Sequence, residues 1–266
     1  MTDMAIISAG FKHAPFIKRA QELNQHLRLK NFGYSFKIWI DDYPKDYDIE
    51  TMSPYLIKYY CMEEMIKEGY KKILWIDSSM RFYHGPKHIS NILDNDGYFI
   101  VGDGDSRLDT WSDDNFLNVL DLNREDVKEI KMVLGGVFGL NLNHDSGRKI
   151  YEAYKELAIN HQELFDGLRG IPHSPDSVGK KELSLDTNVK GHRHDTSVLS
   201  YICNKLNIKP TQKNSIEGPW YYHNQYLENQ KEKNPDPLSN PNIGRFPTNA
   251  VIISSDAFIG IRDWET

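Results

Sequence analysis

The chain has 266 residues, of which 39% are hydrophobic and 26% charged, and its formal net charge is −6. This composition is typical of a globular protein, and the length suits one α/β domain. The acidic balance, without a cluster rich in lysine and arginine, disfavours duplex DNA as a partner. Two cysteines, Cys61 and Cys203, are too few for a disulfide scaffold and indicate a reducing compartment.

Targeting and membrane signals are weak in this sequence. No apolar stretch approaches the roughly 18 residues needed to span a bilayer. The first ten residues lack a basic region, so their apolar run is typical of a first strand rather than a signal peptide. We therefore expect a soluble, cytoplasmic protein without a transmembrane segment.

The first half of the chain alternates strand and helix patterns. Short apolar runs predict strands, and apolar positions at helical spacing predict helices between them. The predicted strands are 4–9, 36–40, 72–76 and 97–102, and the predicted helices are 14–31 and 55–69, the second starting after Ser53-Pro54. This alternation predicts an α/β fold with a mainly parallel sheet and helices on both faces.

The second half is less regular. It predicts a strand over 132–141, a helix over 146–161 and a helix over 195–206 that Asp195 can cap. The irregular stretches 166–192 and 229–249 interrupt one pattern rather than separate two, so we predict a single domain over 1–266. A long loop such as 166–192 is usually functional or mobile, and it could close over bound substrates.

Polar tips follow the predicted strands, where ligands bind in parallel sheets. The tips are 8–12, 41–42, 77–81 and 103–107. Within 77–81, Asp77 precedes two small serines that leave space for an anion or its metal, and Arg81 could contact a phosphate. The alternative is that Asp77 caps a turn while Arg81 forms a surface salt bridge. Asp103-Gly104-Asp105 could hold a divalent ion, although such residues are also common in turns.

A second polar cluster, residues 191–197, lies at a predicted helix start. Free N–H groups there favour negative charge, and Asp195 could accept a proton or a hydrogen bond from a sugar hydroxyl. The alternative is a helix cap with solvated neighbours. Partners at zinc spacing are missing around His192 and His194, which disfavours zinc. His223 lies among aromatic residues, where a histidine is more often structural than a ligand.

Common catalytic motifs are absent from the sequence. It contains no G-x-x-x-x-G-K-[ST] phosphate loop, no G-x-G-x-x-G after the first strand, no G-x-S-x-G elbow and no H-E-x-x-H. ATPase, Rossmann dehydrogenase, α/β-hydrolase and zincin functions are disfavoured accordingly.

The order of segments nevertheless resembles the GT-A glycosyltransferases. An initial I-I-S-A-G strand is followed by K-I-L-W-I-D-S-S, which looks like the family's strand with a D-x-D motif, and then by L-G-G-V-F-G-L-N. H-R-H-D-T-S-V-L-S is similar to the H-D-Q-S or H-D-E-S helix start of several sugar transferases. The resemblance covers about residues 4–224. It implies a Rossmann-like GT-A fold, with a donor half over 1–130 and an acceptor half over 131–266.

The resemblance also implies roles for individual residues. Ser8, Gly10 and Asp41 would line the base and ribose of a nucleotide sugar such as a UDP-sugar. Asp77 and Ser79 would occupy the D-x-D positions at the diphosphate or its metal. Further along the chain, the residues implied at the sugar or the diphosphate are Gly135, Gly136, His194, Asp195 and His223.

Two departures from the family pattern concern the cofactor and the nucleophile. Ser79 replaces the second aspartate, so Mn²⁺ or Mg²⁺ would depend on Asp77, His223 and phosphate oxygens, or Arg81 and Lys58 would replace the ion. Thr196 stands where some retaining relatives place a glutamate nucleophile, which removes support for that mechanism.

These observations predict hexosyl or pentosyl transfer from a nucleotide sugar to an acceptor hydroxyl, on a glycan first, or on a protein or a modified nucleobase. An inverting enzyme needs a base, for which Asp195 is the first candidate and Asp105 the second. In a retaining enzyme Asp195 would orient the donor sugar. A sugar-phosphate nucleotidyltransferase remains an alternative, although it would normally show a glycine-rich basic signature after the first strand. A non-catalytic carbohydrate-binding protein is a second alternative, but it would not need Asp77 and Asp195.

Overall fold

Five strands form the central sheet of the computed structural model, which describes residues 3–82, 85–166, 183–211 and 221–223. Two further strands form a separate ribbon. In chain order the strands are β1 (Met4–Gly10), β2 (Ser35–Ile40), β3 (Lys72–Ile76), β4 (Met80–Phe82), β5 (Tyr98–Arg107), β6 (Lys131–Asn141) and β7 (Tyr221–His223).

The sheet has the order β2-β1-β3-β6-β5. Strand β1 pairs in parallel with β2 and β3, whereas β6 pairs antiparallel with both β3 and β5. Four strands therefore run in one direction and β6 runs in the other. This confirms the predicted mainly parallel α/β sheet, in which β6, from the predicted acceptor half, lies between two strands of the predicted donor half.

Helices cover both faces of the sheet, as predicted. They are α1 (Ala14–Lys30), α2 (Ile57–Lys67), α3 (Lys87–Asp96), α4 (Asp114–Val119), α5 (Arg124–Val127), α6 (Asp145–Asn160), α7 (Glu163–Asp166) and α8 (His194–Lys205), with a short 3-10 helix (Pro54–Leu56) before α2. Leu23 of α1 and Leu93 of α3 pack into the core on one face. Met62 of α2, Ile150 of α6 and Val198 of α8 pack into the core on the other.

Most element boundaries agree with the sequence pattern, and β3 is where the sequence predicts it. Two expectations were wrong. Helix α8 begins at His194 with Arg193 as its N-cap, so Asp195 does not cap it. Residues 103–107 belong to β5 itself rather than to a tip beyond its end. Of the irregular stretches, 167–182 and 229–249 lie outside the described residues.

The two-stranded ribbon lies next to the turn that contains Asp77. Strand β4 begins three residues after Asp77, and its antiparallel pairing with β7 sets Met80 opposite His223. The backbone of His223 is thereby brought close to the end of β3. Among the helices of the described residues, none has the length and apolarity needed to span a membrane.

Candidate active site

The candidate site lies at the carboxyl end of β3. Strands β1 and β3 are parallel neighbours, and β2 lies on the far side of β1, so the direction of winding changes between β1 and β3. Ligands of open α/β sheets bind at such a switch point, beyond the carboxyl ends of the strands. Asp77 directly follows β3 at this point.

Lys58 of α2 joins the two carboxylates that the sequence singled out. Its ammonium Nζ donates to Asp195 Oδ2 at 2.7 Å and to the carbonyl oxygen of Gly135 at 2.8 Å. The same nitrogen lies 3.4 Å from Asp77 Oδ1. Asp77 and Asp195 therefore meet across one cation, although they are far apart in the sequence.

The cluster is electrostatically unusual because its lysine is buried. The side chains of Lys58 and Asp195 are 10% and 5% exposed, whereas that of Asp77 is 42% exposed. Burial alone would lower the pKa of Lys58, but the carboxylates of Asp195 and Asp77 outweigh it and raise that pKa above its ordinary 10.5. Since two carboxylates face one ammonium, the cluster keeps a net negative charge.

Asp77 is oriented by the strand from which it emerges. Side chains alternate along a strand, so Trp75 and Asp77 lie on the same side, and the indole Nε1–H donates to Asp77 Oδ1 at 2.8 Å. The Asp77 amide donates to the carbonyl oxygen of Gly136 at 2.8 Å. One oxygen of this partly exposed carboxylate is thereby fixed, and sequence reasoning did not identify Trp75 as the residue that fixes it.

The glycine pair of β6 makes room for both carboxylates. A Cβ on Gly135 would overlap Thr196 Oγ1 and lie 2.7 Å from Asp195 Oδ2. A Cβ on Gly136 would lie 3.0 Å from Asp77 Oδ2 and 2.9 Å from Met80 Cε. The predicted approach of these glycines to a sugar stays a prediction, while the close neighbours that the structure gives them are protein carboxylates.

The predicted nucleoside contacts fall on the ends of β1 and β2. Ser8 and Gly10 share the face of β1 that packs against α1: the Ser8 side chain is fully buried, and a Cβ on Gly10 would overlap the carbonyl oxygen of Phe16. Asp41 is exposed, its φ is +51°, and its amide donates to the carbonyl oxygen of Gly10 at 2.9 Å. Asp41 is therefore the one of these three whose side chain is open to a ligand at this edge.

Ser79 and Arg81 are both buried. Arg81 Nη1 donates to the carbonyl oxygens of Ser78 and Met80, both at 2.7 Å, and Nη2 lies 3.2 Å from the Glu22 carboxylate. This guanidinium fixes the turn after Asp77 from the α1 side. The phosphate contact of Arg81 stays a prediction, but the solvated surface salt bridge that was its alternative does not describe a side chain so deeply buried.

Residues around the start of α8 anchor that helix to the rest of the protein. His194 Nδ1 lies 3.0 Å from the carbonyl oxygen of Phe165, and His192 Nε2 lies 2.9 Å from that of Leu164. Arg193 pairs with Asp103, so this member of the D-x-D at 103–105 is engaged in an ion pair, while Asp105 is exposed on β5. The interpretation of residues 191–197 as a cap with solvated neighbours is wrong, because His192, Arg193 and Asp195 are buried.

Two groups of aromatic residues at this edge were not identified from the sequence. Phe11, just after β1, and Tyr43, just after β2, pack edge to face with ring centroids 5.4 Å apart. Both rings are partly buried beside Asp41. Tyr55, three residues before Lys58, stacks on His194 with centroids 3.9 Å apart and an interplanar angle of 11°.

The site offers a divalent ion one suitable carboxylate ligand, that of Asp77, and not a full set of protein ligands. Within the described parts of the chain, no group of three or more His, Cys, Asp and Glu side chains is placed to hold a metal. Asp77 has one oxygen held by Trp75 and a partly exposed side chain, which suits a single carboxylate ligand. Mg²⁺ is commonly bound by one or two carboxylates together with substrate phosphates, so the residues present fit an ion that binds with a nucleotide.

Comparisons with known proteins give distant structural likenesses. No protein-family model matches the chain, and no curated protein matches it. The chain is similar to a glycosyltransferase involved in glycosylation of the major capsid of PBCV-1, with a TM-score of 0.36 and 11% identity over 77% of this chain and 99% of that one. It is also similar to mouse xyloside xylosyltransferase 1 in its apo form, with a TM-score of 0.41 and 13% identity over 79% and 86% of the two chains. Likenesses of this size leave the function to be argued from the site itself.

Proposed function

We propose that this protein is a GT-A-type glycosyltransferase that moves a sugar from a nucleotide-sugar donor to an acceptor hydroxyl. The observation that carries the proposal is the buried contact of Lys58 with Asp195 and Asp77 at the switch point of the sheet. A structural ion pair needs only one carboxylate, and burying the charges of Lys58 and Asp195 is itself costly, yet a second carboxylate, that of the partly exposed Asp77, also faces this ammonium. Such a costly group at a ligand-binding edge is a candidate functional site.

In this proposal the donor lies along the edge from β1 to β6. Its base packs near Phe11 and Tyr43, and its ribose reaches Asp41, which follows β2 as the ribose-binding carboxylate does in dinucleotide folds. Its diphosphate lies at Asp77, and its sugar lies beside the Lys58 contact, within hydrogen-bond reach of Asp195. The partial exposure of Asp77 and the burial of Asp195 support this order, since phosphates need access and a sugar needs shelter from water.

Asp195 acts in this proposal by orienting the donor sugar. Its Oδ2 neutralises the buried ammonium of Lys58, and protonating that carboxylate would leave the ammonium without its closest partner. Accepting a hydrogen bond from a sugar hydroxyl needs no such change of charge. This geometry favours the orienting role over the role of general base, and the acceptor's proton then passes to an oxygen of the departing diphosphate.

When the C1–O bond to the diphosphate breaks, its electron pair stays on the diphosphate, which becomes more negative. Positive charge in addition to that of Lys58 is needed to stabilise it. A Mg²⁺ or Mn²⁺ ion held by the donor phosphates and Asp77 would supply it. The register of β4 and β7 brings the backbone of His223 close to the same turn, which supports His223 as a second candidate ligand.

The test uses the whole chain with a panel of UDP-, GDP- and CMP-sugars, with and without Mn²⁺, and measures slow release of nucleotide. Release from one donor, abolished in Asp195→Asn and retained in the exposed control Glu129→Gln, supports the transferase. Pyrophosphate formation from a nucleoside triphosphate and a sugar phosphate would instead indicate a nucleotidyltransferase. Glycan binding without turnover of any donor would indicate a carbohydrate-binding protein. A glycan, a protein or a modified nucleobase would then be tested as the acceptor.

A further inference from the structure

His194 has an unfavourable backbone conformation immediately before Asp195. Its φ is +48°, in the left-handed region that residues with a Cβ rarely adopt, and it is the first residue of α8. Residues held in such conformations persist only where surrounding contacts over-determine them, and they cluster at functional sites. The contacts that hold His194 are therefore part of what places Asp195.

Contacts with Phe165, His192 and Tyr55, among the described residues, hold the imidazole of His194. Its Nδ1 lies 3.0 Å from the carbonyl oxygen of Phe165, and the edge of the His192 ring meets it with centroids 5.1 Å apart at 85°. The closer of the two ring contacts is the stack on Tyr55, with centroids 3.9 Å apart and the rings within 11° of parallel. An imidazole clamped on one face and bonded at its edge has little freedom to let the backbone relax.

Tyr55 is itself fixed by the same carbonyl group. Ser53 Oγ accepts from the Tyr55 amide at 3.3 Å and donates to the carbonyl oxygen of Phe165 at 3.2 Å. The start of the 3-10 helix before α2 and the start of α8 thus share one anchor at Phe165, and the stack lies directly beside it. The geometry of the stack is set by backbone contacts on both sides.

The stack and the ion pair are neighbouring links to α8, the first from the 3-10 helix and the second from α2, which follows it directly. Tyr55 precedes Lys58 by three residues, which is close to one helical turn, and His194 directly precedes Asp195. One link joins Tyr55 to His194 and the next joins Lys58 to Asp195 at 2.7 Å. A change in the first link is therefore transmitted by a single peptide unit to the carboxylate of the second.

We propose that Tyr55 is a positioning residue for Asp195, acting by holding His194 in its left-handed conformation. The inference rests on the proposed function of Asp195 in sugar transfer. Tyr55 acts through its ring and not through its hydroxyl. Burial, then Asp195, Asp77 and Asp166, raise the pKa of that hydroxyl, which keeps it protonated and neutral beside the carboxylates.

A double-mutant cycle on the turnover rate separates positioning from ordinary packing. Tyr55→Leu should lower kcat about tenfold, since a small displacement of a substrate-orienting group is costly, whereas Tyr55→Phe keeps the stack and should retain most of the rate. Glycine adopts a positive φ without strain, so in the His194→Gly background Tyr55→Leu should lower kcat by less than about twofold. Additive losses, or equal losses in Tyr55→Phe and Tyr55→Leu, would overturn the inference.

A second measurement needs no substrate. Asp195→Asn should destabilise the wild type, measured as the shift of its urea midpoint, more than it destabilises Tyr55→Leu, because the ion pair that it breaks is already displaced in the latter. Equal shifts in both backgrounds would overturn the positioning role whether or not a donor is known. If the cycle couples but the wild type turns over no nucleotide sugar, the proposed function fails and the link from Tyr55 to Asp195 stands.

Discussion

Lys58 and Asp195 are separated by 137 residues in the sequence, yet their charged groups lie 2.7 Å apart in the protein interior. Each is buried, so each depends on the other for neutralisation. Removing one member of a buried ion pair leaves an uncompensated charge, whereas replacing both members by apolar groups can be nearly neutral. Comparing single with double replacements therefore separates the contribution of the pair to stability from its contribution to activity.

The first prediction concerns removal of the ion pair. Lys58→Met and Asp195→Asn should each destabilise the fold by about 3 kcal/mol or more, and the double variant Lys58→Met/Asp195→Leu should recover most of that loss. Urea unfolding measures the stability, and donor turnover measures the activity. We expect the double variant to be stable and inactive. A stable, active double variant would show that the pair has no part in function.

The second prediction concerns alkaline pH. The pKa of Lys58 is raised above 10.5, so its pairing stabilises the fold fully below that pH and the stabilisation is lost as pH rises through the folded-state value. The stability difference between wild type and Lys58→Met should stay constant from pH 7 to about pH 10 and shrink above it. Urea unfolding at several pH values measures this difference, and a gap that widens in alkali would contradict the raised pKa.

The third prediction concerns the glycine pair. Gly135→Ala should lower activity and destabilise the protein by about 1–3 kcal/mol, because its Cβ would displace Thr196 and Asp195. Gly102→Ala is the matched control, since among the described residues a Cβ there would contact only Pro210, at an ordinary 3.6 Å. Thermal unfolding and nucleotide release measured on both variants make the comparison. Equal behaviour of the two would argue against close packing at Gly135.

The fourth prediction concerns Asp77 and the indole that orients it. Asp77→Ala should weaken nucleotide binding in the presence of Mn²⁺ by about 10- to 100-fold, and Trp75→Phe should give a smaller loss in the same direction. Titration calorimetry with UDP or GDP, with and without Mn²⁺, measures both. In the absence of Mn²⁺ the Trp75→Phe variant should bind like the wild type. Tight binding of Mn²⁺ to the protein without nucleotide would contradict the single-carboxylate site.

Local signals in the sequence were sufficient to predict the strands and helix starts that depend on local chemistry. The apolar run of β3 predicts a buried strand, and Ser53-Pro54 predicts the helical start that the Ser53 hydroxyl caps. The resemblance to the GT-A glycosyltransferases also predicted Asp77 and Asp195 at one site, and in the structure the Lys58 ammonium contacts both.

The features that the sequence did not predict depend on contacts between distant segments of the chain. Asp195 is a good helix cap by local preference, but its carboxylate binds Lys58 instead, and Arg193 occupies the N-cap position of α8 without a capping hydrogen bond from its side chain. Lysine is rarely buried, and no local pattern marks Lys58 as an exception. The tip expected at 103–107 belongs to β5, which departs from regular pairing after Gly102 and pairs with β6 again at Arg107, opposite Lys131.

The antiparallel strand β6 also constrains how the chain can assemble during synthesis. It follows β5 in the sequence but is inserted between β3 and β5. A nascent chain that ends before β6 therefore carries two strands, each with an unpaired edge open to other chains. Arrival of β6 covers both edges at once, whereas Asp195 on α8 follows β6 in the sequence, so these strand edges are protected before the contact of Lys58 with Asp195 can form.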